Sequence, residues 1–437
     1  MIKITVPADK SISHRAAIIG AICKKGLRIQ NYLRAEDTLS TLSCLKELGI
    51  LIEECNGDIL IKGEGLKEAK APLYCGNSGT TMRLLMGLLS GATFKTTLTG
   101  DTSLSKRPME RVAKPLREMG ARIATDGGHS PVTVIGGSLS PISYELPVPS
   151  AQIKSAILLA GLFANGKTTV VEPGICRDHT ERMLLALGAP IKKEGLKTEI
   201  KGTVELLGEE TITVLGAPIR KKESKTEVEG HVELLGGETI TIPGDFSSAA
   251  FFIVASIITG KPVEIANVGI NPTRTGLLDV LRKMGAEIEI KNERCEFGEP
   301  VADIITKGGH LSGIELSPEI VPLMIDEIPI LAIAALFANG RTVIRGAEEL
   351  RVKETDRIKA MVNELRKLEA NIEELPDGMV IEGGAKLKGA EVSSYNDHRI
   401  AMAFSVLALV VPDIKVTNPE CVNISFPDFP QSLSLFI

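Results

Sequence analysis

The sequence contains no tryptophan, and aromatic residues make up only 3% of its 437 residues. We therefore do not expect the stacked aromatic platforms with which proteins bind single-stranded nucleic acid. Positive charge is not in excess either, because 50 Lys and Arg stand against 55 Asp and Glu, a net charge of −5. Proteins that bind nucleic acid or anionic membranes through a broad surface are normally basic. Any affinity for anions must therefore be local.

Cysteine pairs and long apolar runs are missing as well. The seven cysteines are scattered and never show the C-x-x-C spacing of zinc and redox sites. The longest apolar runs, 328–338 and 401–412, suit buried helices and are too short to span a bilayer. The N-terminus has no apolar segment of signal-peptide length. These absences predict a reduced, cytoplasmic protein that binds no membrane and no nucleic acid.

Internal repeats organise the chain. The segment ILLAGLFANGKTTVVEP, ending at Pro173, nearly coincides with ILAIAALFANGRTVIRG, ending at Gly346. Each predicts an apolar helix, a glycine at its end and then a β-branched strand. Looser copies bring the count to six repeats, each opening with polar residues that can cap a helix. We mark the six openings by Ser11, Ser78, Ser150, Ser247, Asp326 and Asp397.

One spacing between these markers is too long, 247 − 150 = 97 residues, because a segment is duplicated. Residues 187–214 and 215–242 are tandem copies of 28 residues, identical at 19 positions. Removing one copy leaves 97 − 28 = 69 residues, in step with the other intervals. Their alternating runs indicate an extra strand pair at a sheet edge. A regulatory or oligomerisation insert, or an oddity of the sequence, stays open as an alternative.

A second helix is predicted within several repeats, and alternating strand patterns follow it. These helices cover 38–48, 107–119, 180–187, 273–284 and 356–368. Each repeat then reads strand, helix, strand, helix and two strands. Because six repeats cannot share one core economically, we expect an α/β protein with two domains of three repeats. One domain is expected at 10–242 and the other at 1–9 with 243–437, the chain crossing near 8–10 and 243–245.

Charged residues collect where the predicted helices begin. The openings D-K-S-I-S-H-R, with Lys10 and Arg15, and G-N-S-G-T-T-M-R, with Arg83, place glycine, small hydroxyls and cations at helix N-termini. Backbone N–H groups and the helix dipole favour an oxyanion there, and Arg adds bidentate charge. Ordinary helix capping explains any one such motif, but the repetition favours a ligand.

Further short motifs rich in charged and polar residues occur along the chain. They read L-S-K-R-P-M-E-R from Leu104, P-S-A-Q-I-K-S-A from Pro149, C-R-D-H-T-E-R from Cys176, M-I-D-E-I-P from Met324, L-R-V-K-E-T-D-R from Leu350 and Y-N-D-H-R-I-A-M from Tyr395. The alternatives are a plain N-cap for Asp326, a solvated, salt-bridged helix entry for L-R-V-K-E-T-D-R, and hydrogen-bonded local structure for His179 and His398. Metal ligation by these histidines is disfavoured, because the sequence has no i, i+4 His pair and no Cys cluster. Cations from both halves predict a small, multiply anionic ligand in an interdomain cleft, and Asp326 and Glu354 among them suggest proton transfer. The residues alone thus predict a two-domain enzyme acting on phosphorylated or carboxylated small molecules.

Taken in order, these motifs resemble the 5-enolpyruvylshikimate-3-phosphate synthase family over essentially the whole chain. The resemblance implies two domains of three βαβαββ units each, a six-fold repeated inside-out α/β barrel with its active site in the interdomain cleft. It implies transfer of the enolpyruvyl group of phosphoenolpyruvate to the 5-hydroxyl of shikimate 3-phosphate, with release of phosphate through a tetrahedral ketal phosphate. It implies no cofactor and no metal, and we expect a monomer.

The resemblance also assigns residues by position. Those expected to bind shikimate 3-phosphate are Lys10, Ser11, Arg15, Ser150, Ala151, Gln152, Arg177, Asp326 and Lys353. Those expected to bind phosphoenolpyruvate are Lys10, Asn77, Gly79, Arg107, Gln152, Arg357 and Arg399. The expected catalytic residues are Asp326, Glu354, Lys353, Lys10 and His398. Asp326 is expected to deprotonate the 5-hydroxyl or to steer it, while Glu354 and Lys353 handle protons at C3 and at the hydroxyl.

Some positions depart from the family pattern, and they weaken particular assignments. Ala151 stands where a second Ser often precedes Gln, Cys176 and His179 replace Ser and Tyr, and Ile424 replaces a Lys. Three rival functions are UDP-N-acetylglucosamine enolpyruvyl transfer, RNA 3′-phosphate cyclisation and a non-catalytic repeat scaffold. The mobile-loop Cys of the first is missing, the second requires a catalytic His and an ATP site, and the third does not need Asp326, Lys353 and Glu354.

Overall fold

The computed structural model describes residues 1–63, 65–202 and 236–437 and divides into two compact units. We call Lys10–Ile242 with Glu296–Glu299 the N-terminal unit. Met1–Asp9, Pro243–Cys295 and Pro300–Ile437 form the C-terminal unit. In these ranges no helix is both long and apolar enough to cross a membrane.

The N-terminal unit alternates helices and short strands after β1 (Ile2–Ile4), which belongs to the C-terminal unit. Its helices are α1 (Lys10–Gly20), α2 (Glu36–Glu47), α3 (Gly79–Leu89), α4 (Glu110–Glu118), α5 (Ala151–Gly161) and α6 (His179–Ala186). Its strands are β2 (Leu27–Gln30), β3 (Leu51–Cys55), β4 (Asp58–Lys62), β5 (Leu73–Tyr74), β6 (Lys95–Thr99), β7 (Arg122–Asp126), β8 (His129–Ile135), β9 (Ser143–Glu145), β10 (Lys167–Val171), β11 (Ile191–Glu194), β12 (Lys197–Lys201) and β13 (Thr239–Thr241).

These strands form three four-stranded sheets of the same design, ordered β13-β2-β4-β3, β5-β6-β8-β7 and β11-β12-β10-β9. In each sheet a short first strand pairs in parallel with the strand that follows the first helix of the repeat, and the rest pair antiparallel. The first strand of the first repeat is β13, which comes from the end of the unit. Each repeat therefore has the predicted βαβαββ order, the first one in circularly permuted form.

The C-terminal unit repeats the scheme. Its helices are α7 (Phe246–Thr259), α8 (Gly276–Met284), α9 (Ile328–Leu336), α10 (Arg357–Lys367), α11 (His398–Leu407) and α12 (Phe429–Ser434). Its strands after β1 are β14 (Val263–Gly269), β15 (Ala286–Glu296), β16 (Glu299–Gly309), β17 (Arg341–Ile344), β18 (Asn371–Leu375), β19 (Gly378–Glu382), β20 (Glu391–Ser393) and β21 (Lys415–Thr417). They form sheets ordered β1-β14-β16-β15, β17-β19-β18 and β20-β21.

Two repeats of this unit depart from the predicted strand order. In the fifth, isolated bridges of Ser312 with Asn339 and of Glu315 with Val343 stand where the first strand was expected. The last repeat departs further. Among the described residues it has β20 and β21, and the chain then forms a 3₁₀ turn at Pro419–Ile424 and helix α12. Phe426, Phe429 and Phe436 of this segment lie 5.9, 5.6 and 6.3 Å from Phe252, measured between ring centroids. Aromatic packing on α7 thus covers the core where a strand pair was expected.

Helix composition explains which elements lie inside. The first helix of each repeat, such as α3, α7 or α9, is apolar almost all round and buried along most of its length. The second helices, such as α4 and α8, are amphipathic and keep charged residues on an exposed face. Each unit therefore has helices at its centre and sheets outside, the predicted inside-out arrangement.

The duplicated segment lies mostly outside the described residues, so the predicted extra strand pair is not described. The structure does describe the two ends of the segment. The strands β11 and β12 belong to the first copy, and β13 belongs to the second. Thr211–Thr213 of the first copy repeats the T-I-T of β13, and the same number of residues separates it from the end of its copy.

We expect deletion of Leu215–Ile242 to leave folding and activity intact, because T-I-T at 211–213 then takes the place of β13 beside β2. Circular dichroism, thermal melting and phosphate release of the shortened chain check this. An insoluble or inactive product would show that the second copy has become part of the core.

Candidate active site

The start of α1 carries the first predicted cluster. Lys10 is the first residue of the helix, and its Nζ lies 3.0 Å from Oδ2 of Asp37. The Arg15 guanidinium is buried and donates hydrogen bonds to Thr180 Oγ1 (2.7 Å), Ser155 Oγ (2.8 Å) and the Ser11 carbonyl (3.0 Å). Acceptor groups of α1, α5 and α6 thus hold the Arg15 guanidinium in one orientation. This orientation determines from which side an anion can approach it.

A buried chain of hydroxyl groups links α1 to α3. The Nδ1 atom of His14 lies 2.7 Å from Thr41 Oγ1, which lies 2.6 Å from Thr81 Oγ1, and Thr81 Oγ1 donates to Ser78 Oγ (2.7 Å). Burial, with Lys10 and Arg15 nearby, holds the pKa of His14 well below its usual range. His14 is therefore a neutral member of this chain and adds no charge to the cationic cluster.

The start of α3 holds the second cluster. Ser78 caps the helix by accepting a hydrogen bond from the Thr81 N–H (3.1 Å). Asn77 donates to Asp101 Oδ2 (2.7 Å) and accepts from Arg107 Nη2. The Arg107 side chain is thereby held beside Gly79, where an added Cβ would lie 3.4 Å from Arg107 Nη1.

The start of α5 approaches the same group of residues. Ser150 is the N-cap and accepts from the Ile153 N–H (3.4 Å), and Ala151 and Gln152 open the helix. The Gln152 amide accepts from Arg83 Nη1 (2.5 Å) and donates to Thr80 Oγ1 (2.9 Å). Gln152 is thus oriented by the helix that begins at Gly79.

Lys154, the lysine of the motif P-S-A-Q-I-K-S-A, points inward. It is fully buried, with Nζ at 2.9 Å from Glu172 Oε1 and 2.6 Å from Glu181 Oε1. Burial opposes its charge, but Glu181, Cys176 and Glu172 raise its pKa. Lys154 therefore balances internal carboxylates and is not part of the polar surface at the helix starts.

Arg177 and His179 stand at the start of α6. Arg177 is partly buried in the loop before the helix, whereas His179, its first residue, is buried with Nδ1 at 2.8 Å from Glu299 Oε1. His179 is thus hydrogen-bonded to a buried glutamate that lies 120 residues away in the sequence.

In the C-terminal unit, Arg357 forms the centre of a cluster of carboxylates. It is fully buried and donates to Asp397 Oδ2 (2.8 Å), Glu354 Oε2 (2.7 Å) and Asp326 Oδ1 (3.2 Å). Burial opposes its charge, but Asp397, Glu354 and Asp326 raise its pKa. Lys353 Nζ lies 3.4 Å from Asp326 Oδ1.

Arg399 and His398 complete this cluster from the start of α11. Arg399 Nη1 donates to the Asp326 carbonyl (3.1 Å), and its Nη2 lies 3.9 Å from Asp326 Oδ2. His398 is the first residue of α11 and is buried. Asp326 lies in a 3₁₀ turn, Ile325–Glu327, and its side chain pairs with cations instead of capping α9.

The predicted residues therefore fall into two groups, one in each unit. Lys10, Ser11, Arg15, Asn77, Gly79, Arg107, Ser150, Ala151, Gln152 and Arg177 lie at helix starts of the N-terminal unit. Asp326, Lys353, Glu354, Arg357, His398 and Arg399 lie at helix starts of the C-terminal unit. In the ranges that the structure describes, no group of three His, Cys, Asp or Glu residues is arranged to hold a metal ion.

One string in the sequence matches a nucleotide-binding motif by its letters alone. G-L-F-A-N-G-K-T at 161–168 has the P-loop spacing G-x-x-x-x-G-K-[ST]. A P-loop runs from a strand into a helix whose N-terminus holds the phosphate, but this string leaves α5 and enters β10. Lys167 is largely exposed and pairs with Glu199 at 3.0 Å. The string therefore forms no phosphate-binding turn.

Gly79 allows a direct test of the α3 cluster. A Cβ here would lie 3.2 Å from Arg83 Nη1 and 3.4 Å from Arg107 Nη1, so both guanidinium groups must shift slightly. We expect Gly79→Ala to raise the KM for phosphoenolpyruvate about tenfold at an unchanged melting temperature, since small displacements at a reacting site are costly. Gly87→Ala in the same helix should instead lower the melting temperature, because its Cβ would lie 2.3 Å from the Ala156 carbonyl oxygen. An unchanged KM in Gly79→Ala would contradict the assignment.

Comparison with known proteins tests to which protein family the chain with these two groups of residues belongs. The sequence model of the family described as EPSP synthase (3-phosphoshikimate 1-carboxyvinyltransferase) matches residues 2–216 and 207–433. The chain belongs to the EPSP synthase family. The two matched segments overlap at 207–216, inside the duplicated segment.

Several full-length relatives are similar to the chain. A 3-phosphoshikimate 1-carboxyvinyltransferase of Thermoanaerobacter sp. (strain X514) is 46% identical, the alignment covering 99% of this chain and 96% of the relative. The protein of the same name from Alkaliphilus metalliredigens (strain QYMF) is 48% identical over 100% and 97%. A solved EPSP synthase structure from Acinetobacter baumannii is 45% identical, with a TM-score of 0.81 over 99% of this chain and 94% of that one. The predicted family and α/β fold are thereby confirmed.

Some polar residues of these clusters were missed as site residues. Asp37 pairs with Lys10, and Arg83 orients Gln152. Arg274 is buried with Asp9, Asp245 and Ser247. A signal for Arg274 existed, because it stands within three residues of the start of the second helix of its repeat, as Arg107 and Arg357 do in theirs.

Proposed function

We propose that this chain transfers the enolpyruvyl group of phosphoenolpyruvate to the 5-hydroxyl of shikimate 3-phosphate and releases phosphate. The observation that carries the proposal is the cluster in which Arg357, Lys353 and Arg399 surround Asp326. Such an arrangement provides both cations for an anionic substrate and a carboxylate for proton transfer. Family membership supports the same reaction.

The proposed chemistry is addition followed by elimination. The 5-hydroxyl gives up its proton and attacks C2 of phosphoenolpyruvate while C3 gains a proton. The tetrahedral ketal phosphate then loses phosphate from C2 and a proton from C3, which leaves the enolpyruvyl ether. The protein must neutralise two polyanions, orient them and move protons. Cations placed beforehand at helix N-termini perform the first two tasks without reorganisation during the reaction.

We assign the N-terminal cluster mainly to substrate binding. Ser11, Arg15 and Arg177, with the α5 start Ser150–Gln152, are proposed to hold shikimate 3-phosphate. Asn77, Gly79, Arg107 and Gln152 are proposed to contact phosphoenolpyruvate, and Lys10 to contact both. The fixed guanidinium of Arg15 supports this assignment, because its three hydrogen bonds leave its orientation little freedom.

We assign the C-terminal cluster to phosphoenolpyruvate and to proton transfer. Arg357 and Arg399 are proposed to bind phosphoenolpyruvate, Asp326 and Lys353 to act at the 5-hydroxyl, and Glu354 to act at C3. His398 is proposed to support them. We propose that one copy of the chain is sufficient and that the reaction needs no cofactor.

Phosphate release from phosphoenolpyruvate, measured with and without shikimate 3-phosphate in EDTA, tests the function. We expect release only when both substrates are present, and we expect it to survive chelation. Release that appears with UDP-N-acetylglucosamine in place of shikimate 3-phosphate would favour the sister transferase. No release with either acceptor would favour a scaffold that lacks the chemistry.

A further inference from the structure

We propose that Arg274, Ser247 and Glu327 form a positioning relay that holds Asp326 and Arg399 in place for the reaction. The inference rests on the proposed function and adds residues to which neither the family motifs nor the assignments above give a role. All three side chains are buried in the C-terminal unit. None of them is proposed to touch substrate.

Arg274 fixes one end of the relay. Its guanidinium pairs with Asp9 and donates to Asp245 Oδ1 (2.8 Å). These two carboxylates belong to adjacent segments, because the Asp9 N–H donates to the Pro243 carbonyl and the Asp245 N–H donates to the Pro7 carbonyl, both at 2.8 Å. Arg274 is therefore held by carboxylates from two segments. These contacts fix the position from which its guanidinium donates a hydrogen bond to Ser247.

Ser247 carries the connection onward. Arg274 Nη2 donates to Ser247 Oγ (2.7 Å), and that hydroxyl donates to Glu327 Oε1. A serine hydroxyl has a single hydrogen to donate, so the acceptance from Arg274 directs that hydrogen toward Glu327. The three groups form one oriented sequence from guanidinium to hydroxyl to carboxylate.

Glu327 joins the relay to the reaction site. It follows Asp326 in the chain, and its Oε1 lies 3.7 Å from Arg399 Nη1, the atom that donates to the Asp326 carbonyl. In the described part of the chain its Oε2 has no hydrogen-bond partner. The hydrogen bond from the Ser247 hydroxyl thus sets the orientation of this buried carboxylate. Because the carboxylate lies beside Arg399, that bond also sets the position of Arg399.

The experiment compares Ser247→Ala with Ser256→Ala. Ser256 is a buried serine of the same helix, α7, and its hydroxyl bonds the Lys261 carbonyl (2.8 Å), outside the relay. We expect Ser247→Ala to lower kcat roughly 10- to 100-fold, since a displacement of about 1 Å at a reacting group costs up to about 100-fold. The KM for phosphoenolpyruvate should rise, whereas that for shikimate 3-phosphate should change far less, because Arg399 is assigned to the former.

Glu327→Gln provides a second variant should Ser247→Ala fold poorly. The amide still accepts from Ser247 but offers Arg399 no charge, so the same rise in the KM for phosphoenolpyruvate is expected. Wild-type constants in Ser247→Ala, or an equal loss in Ser256→Ala, would overturn the relay. Those outcomes would leave the proposed function standing, which fails only if the wild-type chain shows no release dependent on shikimate 3-phosphate.

Discussion

Replacing Arg357 by lysine is expected to lower kcat/KM for phosphoenolpyruvate about 100-fold or more. The guanidinium donates to three carboxylates at once, those of Asp397, Glu354 and Asp326. Lysine keeps the charge but is a compact point charge that cannot reproduce this fork. Misplacement by about 1 Å at a reacting site costs on the order of 100-fold in rate, which sets the size of the expected loss. Phosphate release at varied phosphoenolpyruvate measures the effect.

Arg351→Lys is the matched control for this change. Arg351 also bridges two carboxylates, Asp356 at 2.8 Å and Glu374 at 3.0 Å, but a quarter of its side chain is exposed. We expect near wild-type kinetics from it, because exposed ion pairs contribute little. Equal kinetics in Arg357→Lys and Arg351→Lys would refute the role assigned to Arg357.

Local sequence patterns predicted the elements of this fold well, because apolar runs and polar helix caps recur in each repeat. The apolar runs and the polar cap residues identified α3, α5 and α11, whose N-caps are Ser78, Ser150 and Asp397. Boundaries were less accurate where irregular turns intervene. The helix expected at 107–119 begins at Glu110, because Leu104–Lys106 forms a 3₁₀ turn and Pro108 separates it from α4.

Side-chain partners were harder to predict, since they depend on contacts far apart in sequence. Arg15 bonds Thr180, 165 residues away, and no local pattern reveals that pair. Lys154 shares its motif with Gln152 but points into the core toward Glu172. A motif therefore locates a helix start, whereas only the packed structure shows which of its cations remain available to a ligand.

Replacing Asp326 by alanine is expected to cause the largest loss of activity. Its carboxylate lies 3.2 Å from Arg357 Nη1 and 3.4 Å from Lys353 Nζ, and it is the group that we assign to the 5-hydroxyl. Positioned proton transfer typically contributes about 10²–10⁴-fold. We therefore expect kcat to fall within that range in pre-steady-state and steady-state phosphate release. Asp377→Asn, at a carboxylate that accepts from the Gly346 N–H (2.9 Å) outside this cluster, should remain active.

Asp326→Asn then distinguishes the two roles that the sequence left open. An amide of the same size can still accept hydrogen bonds from Arg357 and the substrate hydroxyl, but it cannot take the proton. If Asp326 is the base, the Asn and Ala variants should lose kcat equally, because both lack the carboxylate. If it steers the hydroxyl, Asn should restore much of the rate, since orientation survives the loss of charge. Wild-type kcat in both variants would show that proton transfer at the 5-hydroxyl depends on another residue.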